Sequence, residues 1–250
     1  MNEQKISIHA IPALKDNYIW IIETQAGAII IDPGDARPVI KYLTENQLKC
    51  IGILITHHHL DHIGGVDDLY LHDPKIQIYG PDNLNLKSPI KNPSKKTEIA
   101  GITFNIIAVP GHTLDHIAYY DGQHLFIGDT LFSAGCGRVF EGTHAQMLES
   151  LDTISKLPDE TMIYCAHEYT LNNLRFAKMV EPDNLDIDQH IYWANHQSIT
   201  LPSTLAKEKS INPFLRLNQP TIHKNIKKNC SKLSSRLAVF STLRHLKDEF

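Results

Sequence analysis

Short apolar runs alternate with turn-rich segments along the first two thirds of the chain. The pattern predicts strands over residues 18–22, 28–32, 50–56, 103–109, 117–120, 125–128 and 162–166. Asp121-Gly122 separates two of these runs. The pair predicts a hairpin with a type I′ turn and antiparallel strands, because Asp-Gly supplies positive φ cheaply. Helical periodicity interleaves with the strands. One helix is predicted from Asp35 to Asn46, after the turn Asp32-Pro33-Gly34. Another begins at Thr143-x-x-Gln146, a capping box ahead of Met147, Leu148, Leu151 and Ile154. Strands interleaved with helices predict a layered α/β fold.

Beyond Tyr169 the strand signal fades, and the remainder predicts helices interrupted by Pro182, Pro202, Pro213 and Pro220. The expected organisation is therefore a main domain over residues 1–169 and a small helical domain over residues 170–250. In the last segment Leu233, Leu237, Phe240 and Leu243 recur at helical spacing, with Arg236, Arg244 and Lys247 expected nearer solvent. No internal repeat or low-complexity tract appears.

At 250 residues, with 42% hydrophobic and 21% charged residues, the chain has the composition of a globular protein with a sizeable core. A net charge of −4 and a pI near 6.4 argue against a nucleic-acid partner. The opening MNEQKISIHA has no apolar h-region, and no stretch approaches the ~20 apolar residues that span a bilayer. A cytoplasmic protein without a membrane partner is expected, and a monomer. Cysteines 50, 136, 165 and 230 lie far apart with no C-x-x-C pair, so reduced, buried thiols are expected.

The chemistry concentrates in Thr56-His57-His58-His59-Leu60-Asp61-His62, placed where an apolar strand ends. Imidazoles and a carboxylate are the donors that zinc, iron or manganese accept, and so many within six residues crowd a single small ion. Two adjacent divalent metals relieve that crowding. Three further donors each follow a predicted strand: His112 after Val109-Pro110-Gly111, Asp129 after Phe126-Ile127-Gly128, and His167 after Tyr164-Cys165-Ala166. His57, His59, Asp61, His62, His112, Asp129 and His167 are thus the candidate ligands. His58 alternates with two of them and is expected to face away, and His116 and His124 are read as structural.

The T-H-x-H-x-D-H run with its later His, Asp and His resembles the metallo-β-lactamase superfamily over about residues 5 to 170. That resemblance implies an αββα sandwich with the site at the sheet edges. It implies one metal on His57, His59 and His112, a second on Asp61, His62 and His167, and Asp129 bridging both. Three more segments are similar to the glyoxalase II family of hydroxyacylglutathione hydrolases, in that family's order: Gly135-Cys136-Gly137-Arg138-Val139-Phe140-Glu141-Gly142-Thr143, Ala166-His167-Glu168-Tyr169-Thr170 and Arg244-His245-Leu246-Lys247-Asp248.

The likeness implies that Arg138, Tyr169, Arg244 and Lys247 contact glutathione. Phe140 stands where some members carry a tyrosine, so its contact can only be apolar. It also implies the reaction: a hydroxide bridging two metal ions, zinc foremost, with iron or manganese as alternatives, cleaves an S-(2-hydroxyacyl)glutathione. S-D-lactoylglutathione would give D-lactate and glutathione, the second step of methylglyoxal detoxification. Asp61 and Asp129 would serve as ligands that orient the water. A glutathione persulfide dioxygenase with one ferrous ion is the alternative, opposed by the complete seven-donor set. A nuclease would want a basic groove, a lactamase a secreted chain, and a dead binding scaffold a degraded site.

Overall fold

The computed structural model describes residues 6–227 and 235–250, so Cys230 and Leu233 lie outside the described residues. The chain forms two compact bodies, one of the residues up to Ala108 with Asp115–Gly128, the other of Val109–Leu114 with Asp129–Phe250.

In the first body a six-stranded sheet runs in chain order through Ser7–Ala13, Asn17–Thr24, Gly27–Ile31, Cys50–Leu54, Gln77–Tyr79 and Ile90–Lys91. Its first three strands pair antiparallel and the rest parallel. The predicted strands at 18–22, 28–32 and 50–56 are present, ending earlier at Ile31 and Leu54. Asp32 turns away at φ 50°, and Thr56 leaves the ladder to bond it. Ser7–Ala13 escapes the apolar pattern because it carries Pro12, which is tolerated on an edge strand. The helix predicted from Asp35 is Ala36–Glu45, with the Asp35 carboxylate capping the Arg37 amide at 2.9 Å. Ile19, Ile21, Ile30, Ile53, Ile55 and Val39 are fully buried between sheet and helices. Each contributes about 1.5–3 kcal/mol by leaving water.

Four antiparallel strands complete this body: Lys96–Ile99, Ile102–Ala108, Ile117–Tyr120 and His124–Gly128. Buried Tyr119 ties them to the other sheet by donating its hydroxyl to the carbonyls of Ile55 at 2.9 Å and Tyr79 at 3.2 Å. The hairpin at Asp121-Gly122 is antiparallel as expected, but its turn is not type I′. Tyr120 pairs with Leu125, leaving four loop residues, and only Gly122 of the pair has positive φ. Asp121 instead uses its carboxylate to accept from the amides of Gln123 at 2.9 Å and His124 at 2.7 Å.

The second body holds the hairpin Leu131–Phe132 and Gly135–Cys136, and the helix His144–Ile154 with the predicted capping box at Thr143 and Gln146. The strand Met162–Cys165 follows, then the helices Thr170–Val180, Leu185–Ala194, Leu205–Ile211, Pro220–Ile226 and Arg236–Glu249. Prolines punctuate these helices as expected, with Pro220 at the first turn of its own. The region is not wholly helical, because Ser203–Thr204 pairs antiparallel with Met162–Ile163.

The terminal helix is rotated from the predicted face. Val239, Phe240, Leu243 and Arg244 are buried, whereas Leu237 is exposed. Arg244 is therefore not near solvent: at 4% exposure it donates to the Cys136 carbonyl at 2.7 Å, the Gly137 carbonyl at 3.4 Å and the Asp248 carboxylate at 3.0 Å. Backbone carbonyls far away in sequence accept from one terminal nitrogen of the guanidinium and Asp248 from the other, which lets it enter the core although its Nε stays unpaired. No helix of the described residues is long and apolar enough to cross a membrane.

Candidate functional site

In the first body the chain leaves the strand Cys50–Leu54, stays extended to His59, and then turns into the short helix Leu60–Ile63. This change of backbone places His57 and His59 on the extended part and Asp61 and His62 on the first turn. His57 and His62 are fully buried. Their rings lie 4.0 Å apart, and His116 stacks on His57 at 4.6 Å, so His116 has a packing role. His58 diverges toward Asp115, 3.3 Å from its carboxylate.

Buried Asp32 organises the donors. Its carboxylate accepts from the Thr56 amide and hydroxyl, both at 2.7 Å, and from His62 Nδ1 at 3.1 Å. Because the Thr56 proton goes to Asp32, the hydroxyl oxygen must accept from His57 Nδ1, 3.0 Å away. Both imidazoles therefore carry their proton on Nδ1 and present a bare Nε2, the tautomer a metal ligand needs. His57 Nε2 stands 3.2 Å from His59 Nδ1, and His62 Nε2 stands 3.4 Å from Asp61 Oδ2. Two donors at 2.0–2.1 Å from one tetrahedral ion are separated by about 3.3 Å, so each pair fits a common metal. Asn17 fixes Asp61 by donating to its Oδ2 at 3.0 Å.

The turn holding Asp32 requires glycine at its end. A Cβ on Gly34 would fall 1.9 Å from the Asp61 carbonyl oxygen. Asp32 and Asn17 were not singled out in the sequence. Asp32 had a faint signal, a carboxylate closing a fully buried apolar strand.

In the second body Asp129 lies between two imidazoles: its Oδ2 is 3.5 Å from His112 Nε2 and 3.3 Å from His167 Nε2. One carboxylate between two ring nitrogens suits a bridging ligand. His112 Nδ1 donates to the Arg138 carbonyl at 2.7 Å, which again leaves Nε2 as the donor atom. Gly137 permits this loop, since a Cβ there would meet the Asp129 carbonyl at 1.9 Å. The Tyr169 ring stacks on His167 at 4.7 Å and 5°.

The other expected binding residues lie in this same body. Arg138 donates through Nε to Asp248 at 3.0 Å, and its guanidinium stands 5.9 Å from the exposed Phe140 ring. Lys247 lies over Phe176 and Phe250, at 5.5 and 4.9 Å. Burial, then the neighbouring Arg244 charge, lowers its pKa to about 8.

The metallo-β-lactamase superfamily profile matches residues 14–89 and 91–167, and the hydroxyacylglutathione hydrolase C-terminus profile matches residues 168–250. A hydroxyacylglutathione hydrolase from Pseudomonas savastanoi pv. phaseolicola is 47% identical over 259 residues, covering 98% of this chain and all of that protein. The chain belongs to the hydroxyacylglutathione hydrolase family. It is thus a hydrolase of α/β class with the metallo-β-lactamase fold. Solved structures agree on the fold. The BLEG-1 B3 metallo-β-lactamase superposes with TM-score 0.64 at 24% identity, over 84% of this chain and 99% of its own. ETHE1 from Myxococcus xanthus also gives 0.64, at 21% identity over 97% and 98% of the two chains. Fold family and His/Asp donors together make this hydrolase a divalent-metal protein.

Asp32→Asn should weaken metal binding roughly 10–100-fold while the chain stays folded, because an amide cannot accept from both Thr56 and His62 as the carboxylate does. Competition with a chromophoric chelator measures this. Unchanged affinity would remove Asp32 from the site.

Proposed function

We propose that the chain hydrolyses the thioester of S-(2-hydroxyacyl)glutathiones, with S-D-lactoylglutathione as the typical substrate, releasing D-lactate and glutathione. It would thereby carry out the second step of methylglyoxal detoxification. The observation that carries this reading is Asp129 Oδ2 between His112 Nε2 and His167 Nε2, in a chain whose relatives bear that activity's name over their full length. Two divalent ions are proposed, zinc first, with iron and manganese accepted by the same donors. His57, His59 and His112 would hold one, Asp61, His62 and His167 the other, and Asp129 both. Bound there, the ions supply Lewis acidity that acidifies water and polarises a carbonyl.

The chain's own residues hold and orient. Asp61 and Asp129 carry carboxylates that orient the attacking water. The departing thiol, with a pKa of about 8.5, leaves without a strong general acid. Arg138, Phe140, Tyr169, Arg244 and Lys247 are assigned to the glutathione side, where guanidinium and ammonium groups suit its two carboxylates. Arg244 is already committed to Cys136, Gly137 and Asp248. Its first role is therefore to hold Asp248, which in turn holds Arg138. We place residues 1–169 as the catalytic module and residues 170–250 as the substrate-binding one. The protein is proposed to act as a cytoplasmic monomer, and the thiols Cys50, Cys136 and Cys165 suit a reducing compartment.

Lys247 gives this reading a pH signature. Its ammonium is needed to bind a carboxylate and is lost as pH rises through about 8. The kcat/KM for a glutathione thioester should fall over that range, whereas Lys247→Met should begin lower and lack the inflection, since kcat/KM reports the free enzyme. An identical profile in the variant would remove Lys247 from binding.

A further inference from the structure

A second recess lies in the second body, beside the helix Leu185–Ala194. It is a cavity of about 400 Å³ walled by Trp193, His190, Lys207, Thr200, Pro202 and Thr204, large enough for a small organic molecule. Two features of its wall select a ligand.

Trp193 presents a flat face, stacked on His190 at 4.8 Å and 19° and itself 39% exposed. His190 is 8% exposed and backs the indole at the wall of the recess. Lys207 is half-buried and its ammonium makes no ion pair among the described residues, and no acidic side chain lines the recess. A cation without an ion-pair partner among the described residues and an indole face form a complementary set.

We infer that this recess binds a small planar carboxylate, its carboxyl group on the Lys207 ammonium and its flat body against Trp193. Burial, then the Lys207 charge, lowers the His190 pKa to about 4, so the ring is neutral and Lys207 alone supplies the charge. A neutral planar molecule should therefore bind far less well than its carboxylate.

Benzoate and the uncharged isostere benzamide test this on the metal-loaded protein by following the indole N–H resonances in nitrogen-15 spectra. The chain has two tryptophans, and Trp20 is buried at 3% exposure, so Trp193 reports separately once Trp193→Phe has assigned it. Benzoate should shift the Trp193 resonance saturably and leave Trp20 unmoved. Benzamide should bind roughly tenfold more weakly or worse, the loss of about one charge-assisted hydrogen bond. Lys207→Met should abolish the preference. Its side chain bridges nothing, so the variant should fold, and a parental circular dichroism spectrum and melting curve confirm that. Equal binding of the two probes, a preference that survives Lys207→Met, or no saturable shift of Trp193 would each overturn the site.

Discussion

Asp129→Ala should abolish thioester hydrolysis and strip most of the bound metal, whereas His58→Ala should leave both near the parent. Asp129 Oδ2 lies within 3.5 Å of the donor nitrogens of both His112 and His167. Its removal would withdraw the one anionic donor set between those two ring nitrogens, which the proposed pair of ions would share. Losses of at least a hundredfold in activity are expected, since ligand removal exceeds the 10–100-fold typical of a supporting residue. His58 pairs with the Asp115 carboxylate at 3.3 Å, and the loss of that partly exposed pair carries little energetic weight. Metal analysis after gel filtration, run beside the hydrolysis assay, checks both variants. Equal metal loss in the two would refute the ligand assignment.

Arg244→Ala should be the most destabilising change in the terminal helix, by about 2–4 kcal/mol, because it leaves a cavity and strips two buried carbonyls of their donor. The buried guanidinium ties the helix to the loop at Cys136 and Gly137. Its removal empties a side-chain volume against Phe214, 5.4 Å from the guanidinium carbon, and frees Asp248 to release Arg138. A fall in melting temperature of roughly 10 °C is expected for a protein of this size. Lys247→Met keeps the aliphatic stem over its two rings and should shift melting little, while raising KM for the glutathione substrate. Differential scanning calorimetry with and without metal separates the pair. If Arg244→Ala melted with the parent and raised only KM, the residue would be a simple substrate contact.

Seven of the strands, two capped helices and the candidate His and Asp donors were legible because each rests on local chemistry. An apolar run ending in histidines signals itself, as does a threonine three residues before a glutamine. What stayed hidden depends on distant partners. Asp32 matters because it accepts from Thr56 and His62, 24 and 30 positions away. Arg244 is buried because carbonyls more than a hundred positions earlier receive it. The Asp121-Gly122 pair misled about turn type because the aspartate side chain, capping two amides, decided the loop's length. Ser203–Thr204 is too short for any period to mark it.

The most direct measurement combines metal content per chain with turnover of S-D-lactoylglutathione on the same purified sample. About two divalent ions per chain, thioester cleavage that follows metal content, and its loss on chelation are predicted. A single iron per chain with oxygen uptake on glutathione persulfide, and no cleavage of the thioester, would contradict the account.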